Sequence, residues 1–252
     1  MKRFIPVIMV LMALPLAFAC GGGGGGGGTG GPALTAFEGD WFGPGEDEVF
    51  ALSDFWLTIN DSGTITLYDE LSTDTGLTPA TFVVEDASSA LITFNDTTEG
   101  GLFWDDTVTH MLFVDTWRGY MGVIEKDAIV LPSYATTDAH GSWLGYAYYF
   151  DAGGSEEWEK DSPVTLTMET DLTFSGISPD GSFTGTMNPL AFSSSHGHFA
   201  GTVTPQVGPE LITSMYLSAD TTFAAGYFLP VTADPINDWP EGYIFLVLTK
   251  QP

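Results

Sequence analysis

Two histidines separated by a single residue, His196 and His198, are the first candidates for chemistry in this chain. In an extended strand, side chains two residues apart lie on one face, so both imidazoles could contact the same metal ion. The neighbouring run Ser193-Ser194-Ser195 favours an exposed turn, however, and we therefore predict no metal ligand here. His110 and His140 stand alone, and we interpret each as structural or solvent-exposed.

Carboxylates are the most abundant reactive groups, with 33 Asp and Glu residues against 6 Lys and Arg. Hard cations such as Ca²⁺ take six to eight oxygen ligands, and acid-rich loops supply such oxygens. No EF-hand spacing occurs, and no single pair of acids stands out as a glycosidase pair. We interpret the acid-rich stretches as solvated loops; they are Glu46-Asp47-Glu48, Asp105-Asp106, and Asp151 with Glu156, Glu157, Glu159 and Asp161.

The chain lacks the short motifs of common enzymes: a Gly-x-Ser-x-Gly elbow, a Walker loop and a His-Glu-x-x-His helix are all missing from the sequence. Its only cysteine is Cys20, so the domains that follow contain no disulfide, thiolate metal site or cysteine nucleophile. We predict a protein without catalytic residues or a cofactor, and a hydrolase built on carboxylates is the least favoured alternative.

Large aromatic side chains could form a surface on which a sugar stacks, but in a β protein they pack more often in the core. The tryptophans considered for such a surface are Trp56, Trp104, Trp117, Trp158 and Trp239.

Acidic residues outnumber basic ones so strongly that the formal net charge is −27 at pH 7. A field of this sign repels nucleic acid and anionic lipid head groups, which excludes nucleic-acid binding. It favours solubility and attracts cations or basic partners. Hydrophobic residues make up 44% of the 252 positions, enough for one large or two modest globular domains.

The amino terminus has the layout of a secretory leader, because Lys2 and Arg3 precede an apolar run over residues 4–18. The run is shorter than the roughly 20 residues that span a bilayer. We therefore interpret residues 1–19 as a signal peptide that is removed.

The end of this leader, Ala17-Phe18-Ala19-Cys20, resembles the lipobox of bacterial lipoproteins, and a glycine-rich tether follows it to residue 31. The resemblance implies that Cys20 carries acyl chains, which would anchor residues 20–31 stably to a membrane. It also implies the outer membrane of a Gram-negative bacterium. The alternative is a secreted or periplasmic soluble protein, because Ala17-Phe18-Ala19 also fits ordinary leader cleavage.

The elements that would position any site follow a repeated pattern. Gly39-Asp40-Trp41-Phe42-Gly43 and Gly141-Ser142-Trp143-Leu144-Gly145 share the order Gly-x-Trp-x-Gly. We infer an internal duplication with a first β unit over 32–130 and a second over 139–252.

Two further pairs of segments support the duplication. Leu57-Thr58-Ile59 matches Leu166-Thr167-Met168, and the segment 109–113 matches the segment 213–217. The spacing agrees with the second match, because Met111 lies 70 positions after Trp41 and Met215 lies 72 positions after Trp143.

Each unit contains short runs of alternating polarity separated by turn residues, whereas a 3.6-residue apolar period never persists. We predict an all-β fold of two tandem antiparallel units. Interior glycines favour the tight bends of closed barrels, and closure hides the strand edges. Paired β-sandwiches are the alternative.

The Gly-x-Trp pattern near the first strand of each unit resembles the lipocalin and wider calycin barrels. The resemblance implies that a small ligand binds inside a barrel. Together with the lipobox-like leader, it leads us to predict a non-enzymatic lipoprotein of the cell envelope that binds a small apolar ligand or a sugar in a β-barrel. The alternative function is a structural or protein-interaction lipoprotein of the envelope.

Overall fold

The computed structural model describes residues 31–46, 51–69, 80–94, 97–115, 119–151, 157–179, 181–233 and 243–252. The leader, Cys20 and nearly all of the tether lie outside this part of the chain. Among the described residues, no helix is long and apolar enough to cross a membrane.

The described chain folds into two closed antiparallel barrels of eight strands each, which confirms the predicted all-β class and decides for barrels over sandwiches. The first barrel consists of β1 (Gly39–Glu46), β2 (Leu52–Ile59), β3 (Thr64–Asp69), β4 (Ala80–Val84), β5 (Ser89–Phe94), β6 (Thr97–Trp104), β7 (His110–Asp115) and β8 (Tyr120–Lys126). The second consists of β9 (Gly141–Asp151), β10 (Glu157–Met168), β11 (Thr173–Ser178), β12 (Gly181–Met187), β13 (His198–Pro205), β14 (Leu211–Leu217), β15 (Phe223–Pro230) and β16 (Ile244–Lys250).

Both barrels close in the same way, between the first and the last strand. Strand β1 pairs with β2 and β8, and β9 pairs with β10 and β16. A short 3-10 helix precedes each first strand, over Leu34–Ala36 in the first barrel and Thr136–Ala139 in the second. Sequential strands are neighbours throughout, so short connections suffice.

The repeated tryptophan joins each 3-10 helix to its barrel. The indole nitrogen of Trp41 donates to the Phe37 carbonyl at 2.9 Å, and that of Trp143 donates to the Ala139 carbonyl at 2.9 Å. A lysine from the last strand covers each indole, with Lys126 Nζ 5.7 Å from the ring centre of Trp41. The equivalent Lys250 Nζ lies 5.3 Å from Trp143. The two barrels therefore share one closing arrangement, which supports the inferred duplication.

The second glycine of the repeated pattern is required by close approach of the neighbouring backbone. A Cβ at Gly43 would lie 1.8 Å from the Val123 carbonyl oxygen, and a Cβ at Gly145 would lie 1.8 Å from that of Val247. No side chain fits there, so glycine allows the last strand to pack against the first.

One of the sequence matches pairs the wrong strands. Met111 lies on β7, the seventh strand of its barrel, whereas Met215 lies on β14, the sixth strand of the second barrel. Met111 is opposite Ile124, which lies two residues before Lys126. The equivalent position in the second barrel is that of Ala224, which is opposite Leu248, two residues before Lys250. The match over Leu57 and Leu166 is correct, because these residues are opposite Trp41 and Trp143.

The barrels pack against each other through an apolar junction. Strands β7, β8, β15 and β16 are buried over most of their lengths, because one face fills a barrel and the other meets the neighbouring barrel. The buried side chains of this junction are Phe103, Leu112, Val114, Met121, Val123, Tyr148, Tyr216, Phe223, Ala225, Tyr227, Leu229, Tyr243, Phe245 and Val247.

Side chains fill the barrel interiors. In the second barrel the space left beside Trp143 has a volume of about 20 Å³, which is room for about one water molecule. Aromatic side chains, including Phe37, Trp41, Phe55 and Trp104, occupy the interior of the first barrel. The described interiors are packed cores.

Candidate functional site

A shallow groove on the outer surface of the second barrel is lined mainly by hydroxyl groups. Its volume is about 430 Å³, and it lies over β11, β12 and β13. The lining residues are Thr173, Ser175, Thr184, Thr186, Thr202 and Thr204, together with Glu169, Phe174 and Gly185. We call this surface the threonine groove.

The strand register arranges the hydroxyl groups in two rows. Thr173 is opposite Thr186, which is opposite Thr202, and Ser175, Thr184 and Thr204 form the second row in the same way. Neighbouring strands are about 4.8 Å apart, and residues two positions apart on a strand are about 7 Å apart. The groove therefore presents a regular two-dimensional array of hydroxyl and methyl groups.

Two glycines beneath the groove make room for aromatic rings inside the barrel. Phe174 is opposite Gly185 and Gly176 is opposite Phe183, so each ring lies over the glycine of the facing strand. A Cβ at Gly185 would lie 2.2 Å from the Phe174 ring, and one at Gly176 would lie 2.1 Å from the Phe183 ring. This reciprocal pairing fills the interior and leaves Thr184 and Thr186 exposed on the outside.

The threonine groove is nearly uncharged in a protein of net charge −27; Glu169 supplies its one lining carboxylate. The Thr173 hydroxyl donates to Asp171 at 2.6 Å. Among the described residues, the hydroxyls of the second row make no side-chain hydrogen bond. Each hydroxyl donates one hydrogen bond and accepts two, so the groove can match a neutral ligand rich in hydroxyl groups.

A second group of polar residues lies at the barrel junction, around His110. The His110 side chain is 8% exposed, and its Nδ1 lies 2.9 Å from Asp105 Oδ2. Its Nε2 points toward the second barrel, 3.2 Å from Asp220 Oδ1 and 3.8 Å from Glu125 Oε2. We call His110, Glu125 and Asp220 the junction cluster.

Strand pairing and a turn position the three side chains of the junction cluster. His110 on β7 is directly opposite Glu125 on β8. Asp220 belongs to the turn between β14 and β15, and its backbone N–H donates to Glu125 Oε2 at 3.1 Å. The Phe223 ring stacks on the imidazole of His110 with centroids 5.5 Å apart. Both barrels therefore build this cluster.

Electrostatics in the cluster favour positive charge at its centre. Burial alone would lower the pKa of His110, but the hydrogen bond to Asp105 and the negative charge of Asp220 raise it above the ordinary value. Burial and the charge of Asp220 raise the pKa of Glu125. For Asp105, hydrogen bonds from His110 and Thr109 outweigh burial and hold the pKa well below its usual range.

Glu46 is at the centre of another polar contact across the junction. It ends β1, is 3% exposed, and accepts hydrogen bonds from Tyr216 Oη at 2.8 Å and Ser214 Oγ at 3.2 Å. The interpretation of the Glu46 stretch as a solvated loop is therefore wrong for Glu46 itself. Residues 47 and 48 lie outside the described part of the chain.

The two histidines singled out in the sequence have separate partners. His198 Nε2 lies 2.9 Å from Ser214 Oγ, and burial followed by the charge of His196 lowers its pKa to about 4. His196 bonds to Ser195 and lies 3.5 Å from Asp54 Oδ1. Neither belongs to a group of three potential metal ligands; within the described residues the junction cluster is the one such group. His140 is exposed.

The tryptophans considered for sugar stacking do not form one surface in the described chain. Trp56 is 39% exposed on the outside of the first barrel, whereas Trp104 is buried inside it and donates to the Ala87 carbonyl. Trp117, Trp239 and the side chain of Trp158 lie outside the described residues.

Sequence reasoning did not single out the junction cluster or the threonine groove. The alternation of threonine with buried residues on β11 to β13 is a usable signal for the groove. The pairing of His110 with Glu125 follows from the β7–β8 hairpin. The approach of Asp220, from the other barrel, has no sequence signal.

No family model matches this chain, and no curated protein matches it. Among solved structures, it is similar to a protein of unknown function of the DUF3598 family from Nostoc punctiforme, at 14% identity and a TM-score of 0.41. That similarity covers 87% of this chain and 98% of the other. It is also similar to the vaccine antigen transferrin binding protein B, in a double-mutant form, from Haemophilus parasuis, at 8% identity and a TM-score of 0.33. This second similarity covers 84% of this chain and 44% of the antigen, so this chain spans less than half of the antigen's length.

Proposed function

We propose that this protein is a non-enzymatic, lipid-anchored binding protein of the Gram-negative cell envelope, and that it binds a neutral carbohydrate chain in the threonine groove. Anchoring rests on the lipobox-like sequence before Cys20. Binding rests on one observation, the two rows of hydroxyl groups across β11, β12 and β13, which are exposed at every position except the half-buried Thr173.

The chemistry of the groove supports a carbohydrate over a charged or purely apolar ligand. Sugar hydroxyls both donate and accept, as do threonine and serine hydroxyls. The threonine methyl groups offer apolar contact to the C–H faces of a sugar ring. An anionic ligand would meet Glu169 and the strongly negative field of the whole protein.

The outer surface is favoured over the barrel interior because of the available space. Ligand pockets typically have volumes of about 300–1,000 Å³. The groove, at about 430 Å³, falls in this range, whereas the interior space beside Trp143 is about 20 Å³.

The test is titration of the purified protein with three soluble neutral polysaccharides, dextran, xylan and laminarin, followed by calorimetry. The variant Thr184→Lys places a long charged side chain in the middle of the second row, and we expect at least a tenfold loss of affinity. The control is Thr81→Lys, which adds the same charge to an exposed position of β4 in the first barrel. Absence of binding to all three polysaccharides, or equal binding by both variants, would overturn the proposal.

A further inference from the structure

We propose that the junction cluster of His110, Glu125 and Asp220 binds a divalent transition-metal ion of the Zn²⁺ class and so links the two barrels. This inference is independent of carbohydrate binding, because the cluster and the threonine groove share no residue.

The spacing of the three side chains fits one small cation. One potential ligand atom from each residue lies within 4.8 Å of the others. Zn²⁺ binds nitrogen and carboxylate oxygen at about 2.0–2.2 Å in tetrahedral geometry, which places ligand atoms roughly 3.4 Å apart. The distances from His110 Nε2 to Asp220 Oδ1, 3.2 Å, and to Glu125 Oε2, 3.8 Å, bracket that value.

The surroundings of His110 orient its imidazole as a metal ligand. Asp105 accepts from Nδ1 at 2.9 Å, which leaves the lone pair of a neutral ring on Nε2. Metal-bound histidines usually donate their other ring nitrogen to a carboxylate in this way. The tautomer that Asp105 favours is therefore the one that a metal requires.

A lone pair on Nε2 and the two carboxylates that it faces repel one another unless a cation lies between them. A proton on Nε2 is one such cation, but Nε2 is buried and has no hydrogen-bond partner among the described residues. Asp220 Oδ1 lies 3.2 Å from Nε2, which is within hydrogen-bonding distance, so the hydrogen bond is missing because the N–H of Nε2 does not point at this oxygen. A metal ion avoids this misfit, because a metal–ligand contact needs no linear N–H···O arrangement. On metal binding, part of the hydrogen bonding that Asp220 Oδ1 accepts from Ser218 Oγ and Thr222 would be exchanged for the ion.

The donor set selects the class of metal. One imidazole nitrogen with two carboxylate oxygens suits Zn²⁺ and neighbouring first-row ions, whereas Ca²⁺ and Mg²⁺ require mainly oxygen ligands. The net charge of −27 raises the local concentration of any cation. Three protein ligands leave further coordination positions for water.

The test is calorimetric titration of the chelator-treated, purified protein with Zn²⁺, together with a thermal melt at each concentration. We expect binding of one ion per chain and a melting temperature that rises with Zn²⁺. Glu125→Gln and Asp220→Asn keep the side-chain shape and remove one anionic ligand each, so each should weaken Zn²⁺ at least tenfold. Asp105→Asn should weaken it by about 10–100-fold through the orientation of His110.

Two control variants separate the cluster from the other histidines. His140→Asn removes an exposed imidazole, and His196→Asn removes the histidine beside Asp54. Both should bind Zn²⁺ as the unaltered protein does.

The proposal is overturned if the protein binds no Zn²⁺ at micromolar concentrations, or if Glu125→Gln and Asp220→Asn bind it unchanged. Nitrogen-15 NMR of His110 provides a readout that needs no variant. Loss of the Nε2 proton signal on addition of Zn²⁺ supports the site, whereas a ring that stays doubly protonated in excess Zn²⁺ overturns it.

Discussion

The carboxylate of Glu46 in the first barrel accepts a hydrogen bond of 2.8 Å from the hydroxyl of Tyr216 in the second, and both side chains are buried. Removal of this hydroxyl in Tyr216→Phe leaves a buried carboxylate with one donor fewer. We expect the free energy of unfolding to fall by about 2 kcal/mol, the scale of a hydrogen bond to a charged group. Chemical denaturation followed by fluorescence measures the change.

The matched control for this substitution is Tyr146→Phe. Tyr146 is 37% exposed, and its ring contact with Lys160 survives loss of the hydroxyl. This change should cost less than about 0.5 kcal/mol. Equal effects at both positions would show that Tyr216 contributes no special contact across the junction.

Stability should fall in mild acid because of His198. Its pKa is lowered from 6.5 to about 4 in the folded protein, so between these values the unfolded chain binds a proton that the folded chain does not. The contribution is complete above about pH 6.5 and is lost as the pH falls toward 4, by at most about 3 kcal/mol.

The measurement for His198 is the free energy of unfolding at pH 7 and pH 4.5, in the unaltered protein and in His198→Gln. Glutamine keeps a donor for Ser214 but does not titrate. The variant should lose less stability between the two pH values, and an identical loss in both proteins would contradict the assignment.

The second glycine of each Gly-x-Trp-x-Gly pattern should tolerate no side chain. In Gly145→Ala the new Cβ would lie 1.8 Å from the Val247 carbonyl oxygen, a backbone atom that cannot rotate away. We expect a loss of about 2–4 kcal/mol, as for other backbone and packing clashes. Thermal melting of the variant measures it.

Gly122→Ala is the control for the backbone clash. Its Cβ would lie 3.1 Å from the edge of the Phe55 ring, which can shift slightly. The predicted order of stability is therefore unaltered protein, Gly122→Ala, then Gly145→Ala. The reverse order would show that strand closure does not depend on the close approach.

The proposed lipid anchor makes a prediction for Cys20, the only cysteine of the chain. Cys20→Ser should abolish incorporation of labelled palmitate and move the protein from the membrane fraction to the soluble fraction. Thr29→Ala, a change within the tether, should leave both unchanged. A Cys20→Ser protein that still incorporates palmitate, or an unaltered protein that incorporates none, would contradict the proposed lipid anchor.

The repeated Gly-x-Trp-x-Gly pattern was enough to predict two related antiparallel β units, because its tryptophan and its second glycine have fixed structural tasks. The choice between barrels and sandwiches needed the structure. Trp41 and Trp143 bind the preceding 3-10 helices, and Gly43 and Gly145 allow closure. The spacing from Trp143 to Met215 led to a wrong match of strands, because a similar number of residues can span six strands in one barrel and seven in the other. Long connections such as 188–197, between β12 and β13, change the spacing without changing the barrel.

The candidate sites were harder to predict for two different reasons. Thr184 and its neighbours look like ordinary exposed strand residues, since threonine favours strands wherever one face meets water. Glu46 looks like part of an acidic loop, and nothing local indicates that the second barrel buries it. Contacts between distant parts of a chain, such as His110 with Asp220, carry no periodic signal.

The junction has the symmetry of a dimer within a single chain. The strand registers of the two barrels can be aligned on Lys126 and Lys250, the lysines that cover the two tryptophans. In this alignment Glu46 corresponds to Tyr148, Tyr216 to Phe103, and His110 to Phe223. The contact of Glu46 with Tyr216 is thus repeated by Tyr148 with Phe103, whose ring centroids are 4.3 Å apart.

His110 and Phe223, which are counterparts of each other, stack directly. Reciprocal contacts of this kind define an isologous, two-fold interface. The two barrels therefore meet through equivalent faces. Because the two faces belong to one chain, their residues can differ: Glu125 corresponds to Thr249 and His110 to Phe223, so the junction cluster occurs once. In a homodimer, two-fold symmetry would repeat the same cluster on both subunits.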